Sequence, residues 1–256
     1  MLTEERLQKI QELVEEKKSV STQELMETLD ISESTARRDL TVLASQGQIS
    51  KVRGGAMAKT ARYNTKDDTV SERKDKNLQE KHEIAKYAAT LIEPNDFVYL
   101  DAGTTTELMI DYLTEKNVVF VTNAVSHARK LSQAGYTTYI LGGEFKGTTE
   151  AIVGDEAVAS LQKYNFTKGF WGTNGISQTE GFSTPDVKEA MIKKVSMSRC
   201  QNCYVLSDTS KFSQISCVKF AEFANADIIT TKLSEDLGEV YEIYAGCDNV
   251  WEVNEL

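Results

Sequence analysis

The chain has 256 residues, 27% of them charged and 40% hydrophobic, with a formal net charge of −10. That length holds one domain of about 60 residues and one of about 180, both of ordinary size. No apolar run approaches the roughly 20 residues of a membrane span. Met1 to Lys18 is charged and amphipathic rather than a secretory leader, so the expectation is a cytoplasmic protein with no membrane partner.

In chain order, Leu7, Ile10, Leu13 and Val14 keep helical spacing and predict a supporting helix. Ser21 stands as the N-cap of a short helix, with Glu24 three residues on in the capping-box pattern. Leu29-Asp30-Ile31 turns the chain. Ser32 then caps a second helix, Glu33 to about Ser45, whose Ala36, Leu40 and Leu43 form one buried stripe and leave the arginine face outside. Ile49 to Gly55 reads as a short strand pair closed by glycines, a wing. Residues 1–58 are therefore predicted to form a winged helix-turn-helix.

Charge placement supports double-stranded DNA as the partner of this unit. Residues 36–62 carry Arg37, Arg38, Lys51, Arg53, Lys59 and Arg62 against the single acid Asp39, about +5 within an acidic chain. Phosphate attraction dominates duplex affinity, and in a helix-turn-helix the start of the second helix reaches base edges. Those residues are Ser32, Ser34, Thr35 and Arg38. Arg37 and Arg38 lie about 100° apart on a helix, so one is expected at a base and the other at a phosphate, in an order left open. Lys51 and Arg53 are expected at the backbone or minor groove.

Residues 59–81 are polar and mixed in charge, a linker that turns helical towards Leu78-Gln79-Glu80-Lys81; a second domain spans 82–256. There, helices are expected over Ile84–Ile92, Thr106–Leu113, Ser126–Ser132 and Met191–Arg199. Strands are expected over Phe97–Leu100, Val118–Val121, Thr138–Leu141, Lys168–Trp171, Cys203–Leu206 and Asp227–Thr230. Apolar strands separated by helices predict a mostly parallel sheet covered on both faces, with a ligand at the strands' carboxyl ends. Five such ends carry small polar residues: Asp101, Gly103, Thr104, Thr105 and Thr106; Thr122 and Asn123; Gly142 and Gly143; Gly172, Asn174 and Gly175; and Ser207 to Lys211. Together they suggest a phosphorylated small molecule, with Lys211 as counter-charge and Asp and Asn side chains reading hydroxyls. Cys200 and Cys203 form a lone C-x-x-C pair at the end of a helix, Cys217 and Cys247 stand apart, and all four are expected to be packing residues. His82 and His127 are expected at the surface or as caps. No metal, no cofactor and no catalytic residue is expected.

The motifs Ser32-x-Ser34-Thr35-x-Arg37-Arg38-Asp39-Leu40 and Arg53-Gly-Gly-Ala, with Asp101-Ala-Gly-Thr-Thr-Thr, Thr122-Asn123, Gly142-Gly143, Gly172-Thr-Asn-Gly175 and Ser207-Asp-Thr-Ser-Lys211-Phe, resemble the DeoR-type bacterial sugar-operon regulators. The resemblance covers nearly the whole chain. It implies an α/β architecture, an N-terminal winged helix-turn-helix plus a C-terminal α/β sensor domain resembling ribose-5-phosphate isomerase. It also implies a homo-oligomeric repressor, dimer or tetramer, released from its operator by a sugar phosphate. Thr104-Thr-Thr-Glu-Leu, Thr148-Thr-Glu-Ala and Ser183-Thr-Pro-Asp186 look most like the fructose-operon branch, implying fructose 1-phosphate; lactose/tagatose-type regulators are the nearest competitor. An isomerase-like enzyme is the rival reading. The isomerase carries Asp-Gly-Ala-Asp-Glu where this chain has Gly172-Thr-Asn-Gly-Ile176, and Lys-Gly-Gly-Gly where it has Phe182-Ser-Thr-Pro185. Proton transfer needs a positioned base, and neither acid of that run is present.

Overall fold

The computed structural model describes residues 3–17, 19–52, 54–58, 63–64 and 68–253. The chain divides into two compact units, 1–61 with 234–245, and 62–233 with 246–256. Residues 234–245, expected in the second domain, thus group with the first.

The first unit runs α1 (Thr3–Lys17), β1 (Ser19–Ser21), α2 (Thr22–Leu29), α3 (Glu33–Ser45), β2 (Ile49–Val52) and β3 (Gly55–Ala58). Serines cap both short helices: Ser21 Oγ accepts from Glu24 N at 3.0 Å, and Ser32 Oγ accepts from Thr35 N at 3.3 Å. Only half of the expected capping box forms at Ser21, because the Glu24 carboxylate turns to Lys17 at 2.5 Å. The apolar stripes meet in one core of Ile10, Val14, Leu25, Ala36, Leu40, Leu43 and Ile49, all at most 1% exposed. Burying each large side chain contributes about 1.5–3 kcal/mol. The wing has a third strand beyond the expected pair, in the order β1-β3-β2. Gly55 permits it: a Cβ there would lie 2.2 Å from the carbonyl oxygen of Val20.

The second unit opens with β4 (Tyr63–Asn64), α4 (Val70–Lys74) and α5 (Leu78–Thr90), then alternates β5 (Phe97–Leu100), α6 (Thr104–Met109), β6 (Val119–Thr122), α7 (Val125–Gln133) and β7 (Thr137–Ile140). A hairpin of β8 (Glu144–Lys146) and β9 (Ala151–Val153) leads to α8 (Asp155–Leu161) and β10 (Phe166–Trp171). There follow β11 (Gly175–Ser177), β12 (Gly181–Thr184), α9 (Val187–Ser198), β13 (Cys200–Leu206), β14 (Ile215–Ser216), β15 (Val218–Ala221) and β16 (Asp227–Thr231). After α10 (Glu239–Tyr244), which belongs to the first unit, β17 (Val250–Val253) completes the sheet.

That sheet has seven strands in the order β17-β16-β13-β10-β5-β6-β7, every pair parallel. Neighbours on a strand bury opposite faces: Val98, Tyr99 and Leu100 are all 0% exposed, as a sheet covered on both sides requires. One face packs Val98, Leu100, Phe120 and Phe170 on Ile84 and Ala88 of α5. On the other, Trp171 Nε1 donates to Ser196 Oγ of α9 at 2.9 Å. From β5 the chain steps to β6 and β7 towards one edge; from β10 it steps to β13, β16 and β17 towards the other. The strand order therefore reverses between β5 and β10, where a crevice opens in sheets of this kind.

Several local readings differ from the structure. The stretch expected as a linker is folded from residue 68 onward, with α4 and the start of α5 inside it. Cys200 begins β13 rather than ending a helix, because α9 stops at Ser198. An antiparallel sheet of β11, β12 and β15 is additional; Gly181, at φ +70°, turns its hairpin where a Cβ would meet Ala221 O at 2.1 Å. His127 is not at the surface but 2% exposed, with Nε2 3.0 Å from Thr106 Oγ1 and Nδ1 3.2 Å from Ser126 Oγ. Two hydroxyl partners satisfy a neutral imidazole, and burial pushes its pKa down to about 3. His82 is half-buried, its Nδ1 2.7 Å from the Tyr112 hydroxyl. Among the described residues no helix is long and apolar enough to cross a membrane, and no group of three or more His, Cys, Asp or Glu residues could hold a metal ion.

Candidate functional site

Two surfaces carry the chemistry. On the first unit, α3 presents the residues expected to meet DNA. Ser32 Oγ lies 3.0 Å from Ser34 Oγ and 2.9 Å from Thr35 Oγ1, so the three hydroxyls form one connected patch at the helix start. Arg37 pairs with Glu33 one turn back at 2.6 Å, whereas Arg38 is exposed and has no side-chain partner among the described residues. Lys51 Nζ, from the wing, donates to Thr41 Oγ1 of α3 at 2.9 Å, tying the two basic elements together. Arg53 lies outside the described residues. Asp39, the lone acid among these cations, is 2% exposed and held by Arg6 through two bonds of 2.5 and 3.2 Å. Its charge is thus neutralised inside the unit and does not offset the exposed Arg38.

On the second unit a cleft lies at the carboxyl ends of β5, β10 and β13, on either side of the strand-order reversal. From β5 come Gly103, Thr104 and Thr105; from β10, Gly172, Thr173 and Asn174; from β13, Ser207, Asp208 and Lys211. α9 adds Glu189 and Lys193, and residues ahead of the sheet add Arg73, Lys76 and Lys81.

The other expected residues do not line this cleft; Asp101, Thr106, Thr122 and Asn123 brace the loops around it. Asp101, 1% exposed, ion-pairs with Lys193, whose Nζ also donates to Gly172 O at 3.0 Å. Burial raises the Asp101 pKa and the adjoining ammonium opposes the rise. Its carboxylate is therefore committed to a lysine rather than to a ligand hydroxyl. Thr106 Oγ1 bonds to Asp101 O at 2.7 Å and to Gly103 O at 2.9 Å, holding the β5–α6 turn. Asn123 accepts from Ala102 N at 2.9 Å, and Thr122 Oγ1 accepts from Ala124 N at 3.0 Å. Gly142 and Gly143 follow β7, two strands from the cleft's nearest strand, and Gly175 enters the antiparallel sheet.

Electrostatically the cleft is a crowd of cations. Lys81, only 4% exposed, donates to the carbonyl of Arg73, and its pKa is lowered first by burial and then by the nearby charges of Lys211, Arg73 and Lys76. Asp208 opposes that lowering, but its Oδ1 already accepts from Asn77 Nδ2 at 2.8 Å and from Ser210 N at 3.1 Å. Lys211 has no side-chain partner among the described residues. A dianion placed here would relieve the mutual repulsion, and the backbone and hydroxyls at the start of α6 would add donors.

Of the cations, only Lys211 was anticipated from sequence. Lys81, Arg73 and Lys76 fell in the stretch taken as a linker, where Thr69-x-x-Glu72 was the available sign of order: both halves of that capping box form, at 3.3 and 2.8 Å. Lys193 sits on an ordinary amphipathic helix, and no local signal marks it.

Comparison with known proteins finds the DeoR-like helix-turn-helix domain over residues 6–62 and the DeoR C terminal sensor domain over residues 76–232. The HTH-type transcriptional regulator FruR of Bacillus subtilis is 43% identical over 236 residues, covering 92% of this chain and 93% of that protein. The lactose phosphotransferase system repressor of Streptococcus mutans is 30% identical over 239 residues, covering 92% and 94%. Among solved structures, ribose 5-phosphate isomerase from Methanocaldococcus jannaschii matches with a TM-score of 0.39 at 18% identity, covering 53% of this chain and 55% of the isomerase.

Proposed function

The chain belongs to the DeoR family of transcriptional regulators, and on that premise we propose that it represses a carbohydrate-utilisation operon and leaves its operator when a phosphorylated sugar, fructose 1-phosphate, fills the cleft. The cations gathered in the cleft, Lys211 and Lys81 foremost, carry this reading. Among the described residues Lys211 has no side-chain partner, and Lys81 is held below its ordinary pKa by burial and, against the opposing charge of Asp208, by Lys211, Arg73 and Lys76. Ser207, Thr104, Thr105 and Asn174 stand around that charge as hydroxyl and amide groups for the sugar.

The carboxylates of the site speak against an enzyme. Asp101 is bound to Lys193, Asp208 to Asn77 and Ser210, and Glu189 to Thr149 at 2.5 Å and Lys146 at 3.2 Å. Each is committed to the scaffold, and a proton-transferring base needs access to its substrate. A single winged helix covers one half-site, so a homo-oligomer, dimer or tetramer, would supply the remaining contacts. Effector binding then has to shift operator affinity by a coupling on the order of 1–3 kcal/mol.

Replacing Lys211 tests the site. Lys211→Ala is expected to bind operator as the parent does and to stay bound at sugar-phosphate concentrations that release the parent. Unaltered release in a gel-shift titration would remove Lys211 from the site.

A further inference from the structure

We propose that the open edge of the seven-stranded sheet, strand β7 with the β8–β9 hairpin that follows it, is the surface by which two copies of this chain pair, antiparallel and edge to edge about a two-fold axis. This gives a place to the homo-oligomer invoked above and holds whichever anion the cleft takes.

β7 is the last strand on its side of the sheet. Leu141 N, just past the strand, donates to Thr122 O of β6 at 3.0 Å. Alternate residues of a strand direct their backbone groups to opposite sides, so Tyr139 shares the inner side with Leu141. Thr138 and Ile140 then turn N–H and C=O outward, where they need partners. Native edges are commonly guarded by a charge or a proline. β7, Thr137-Thr138-Tyr139-Ile140, has neither. The strand at the opposite edge, β17, carries Glu252 and seats Trp251 against Tyr204, with ring centroids 5.7 Å apart.

The side chains mark the same edge. Of the seven large hydrophobic residues exposed among the described residues, four lie here: Val125 at 42%, Tyr139 at 50%, Ile140 at 47% and Phe145 at 54%. Val125 comes three residues after Thr122, the β6 partner of Ile140. Phe145 pairs with Ile152 across the hairpin, and Ile152 N donates to Asn123 O at 2.6 Å. Both are thus held at the carboxyl end of β6, near Ile140. Half-exposed side chains of this size leave on the order of 100 Å² each in water. Counted on two copies they supply about 800 Å² before the paired backbone is added, against the roughly 1,000 Å² of a specific interface.

A second copy is the occupant that the charges select. A two-fold interface sets a patch against itself, so a charge near its axis meets its like. No residue of β7 is charged. On the hairpin, Glu144 is taken up by Lys188 at 2.5 Å and Lys146 by Asp186 at 3.1 Å. The outward backbone groups also fix the register. Thr138 of each copy exchanges both backbone bonds with Ile140 of the other, which leaves the two Tyr139 residues opposite each other on the axis. Cβ atoms in such a pair stand about 4.5–5.5 Å apart. Pairing in this way supplies two DNA-binding units to one operator, as two half-sites require.

The experiment is sedimentation velocity of the full-length parent and Ile140→Lys, with circular dichroism as the check on folding, and non-reducing electrophoresis of Tyr139→Cys beside the parent after mild oxidation. The parent is expected to sediment as a dimer or tetramer. Ile140→Lys should fall to half the parent's mass, its self-association weakened about a hundredfold by lysines forced together near the axis. Tyr139→Cys should give a disulfide-linked dimer that the parent, with its native cysteines, does not form. Should Ile140→Lys fail to fold, the Tyr139→Cys crosslink decides. A monomeric parent, a folded Ile140→Lys of parent mass, or no linked dimer from Tyr139→Cys would each overturn the inference. None of these results bears on the cleft, whose reading stands or falls on phosphate binding.

Discussion

The two units each gather cations, and they treat the charge in opposite ways. On α3, Arg38 is exposed, Arg37 rests on Glu33, and Asp39 is buried against Arg6. In the cleft, Lys81 is 4% exposed, and its pKa is lowered by burial and by like charges while Asp208 opposes them. Exposed charge of the first kind is screened by salt and can address any phosphate of a duplex. Crowded charge of the second kind stores repulsion that only an anion small enough to enter can relieve. Length and exposure suit the first to a polymer; enclosure suits the second to a metabolite.

The sharpest way to separate the two is to destroy one. Leu40→Ala, at a site 1% exposed in the first unit's core, should cost about 2–5 kcal/mol of that unit's stability. Chemical denaturation should show the loss there, while sugar-phosphate binding by the second unit persists. Loss of both together would mean that the units are not energetically separate. A finer cut lies within α3. Arg38→Ala is expected to weaken specific operator binding by about 1–3 kcal/mol, and Arg37→Ala by less, because Arg37 already spends its charge on Glu33. A larger effect of Arg37→Ala in binding isotherms at fixed salt would reverse that assignment.

The smallest expected effect concerns pH in the second unit. His127 has its pKa lowered from 6.5 to about 3 in the folded state, so the unfolded chain takes up the proton first. Stability contributed by the neutral ring is complete above the unfolded pKa and is lost as pH falls below it. Between pH 8 and pH 5 the loss is about 2 kcal/mol. His127→Gln should flatten that part of the pH–stability curve, and an unchanged slope would assign it to other groups.

What was legible in the sequence was local. α3 spans Glu33–Ser45 as expected because a serine cap and an apolar stripe specify it within its own thirteen residues. The inner strands β5 and β6 showed as short apolar runs, since burial on both faces leaves no polar alternation to confuse them. The cleft was only half legible. Strand-end loops announce themselves through glycine and threonine, but which of them converge depends on strand order, and β6 and β7 lie to one side of the reversal. Asp101 looked like a hydroxyl reader because nothing nearby in sequence reveals Lys193, 92 positions away, which claims it. His127 looked like a surface group because its satisfaction comes partly from Thr106, on a different helix. The cations of residues 73–81 were hidden because a polar, mixed-charge stretch reads as solvated linker until tertiary contacts place it.

The most direct single measurement is fluorescence anisotropy of the full-length protein on its own upstream DNA, titrated with fructose 1-phosphate, fructose 6-phosphate, tagatose 6-phosphate and unphosphorylated fructose. Release by fructose 1-phosphate at concentrations where the free sugar does nothing is the expected result. DNA that stays bound under every phosphate ester, or is released equally by free fructose, would contradict a phosphate-reading cleft.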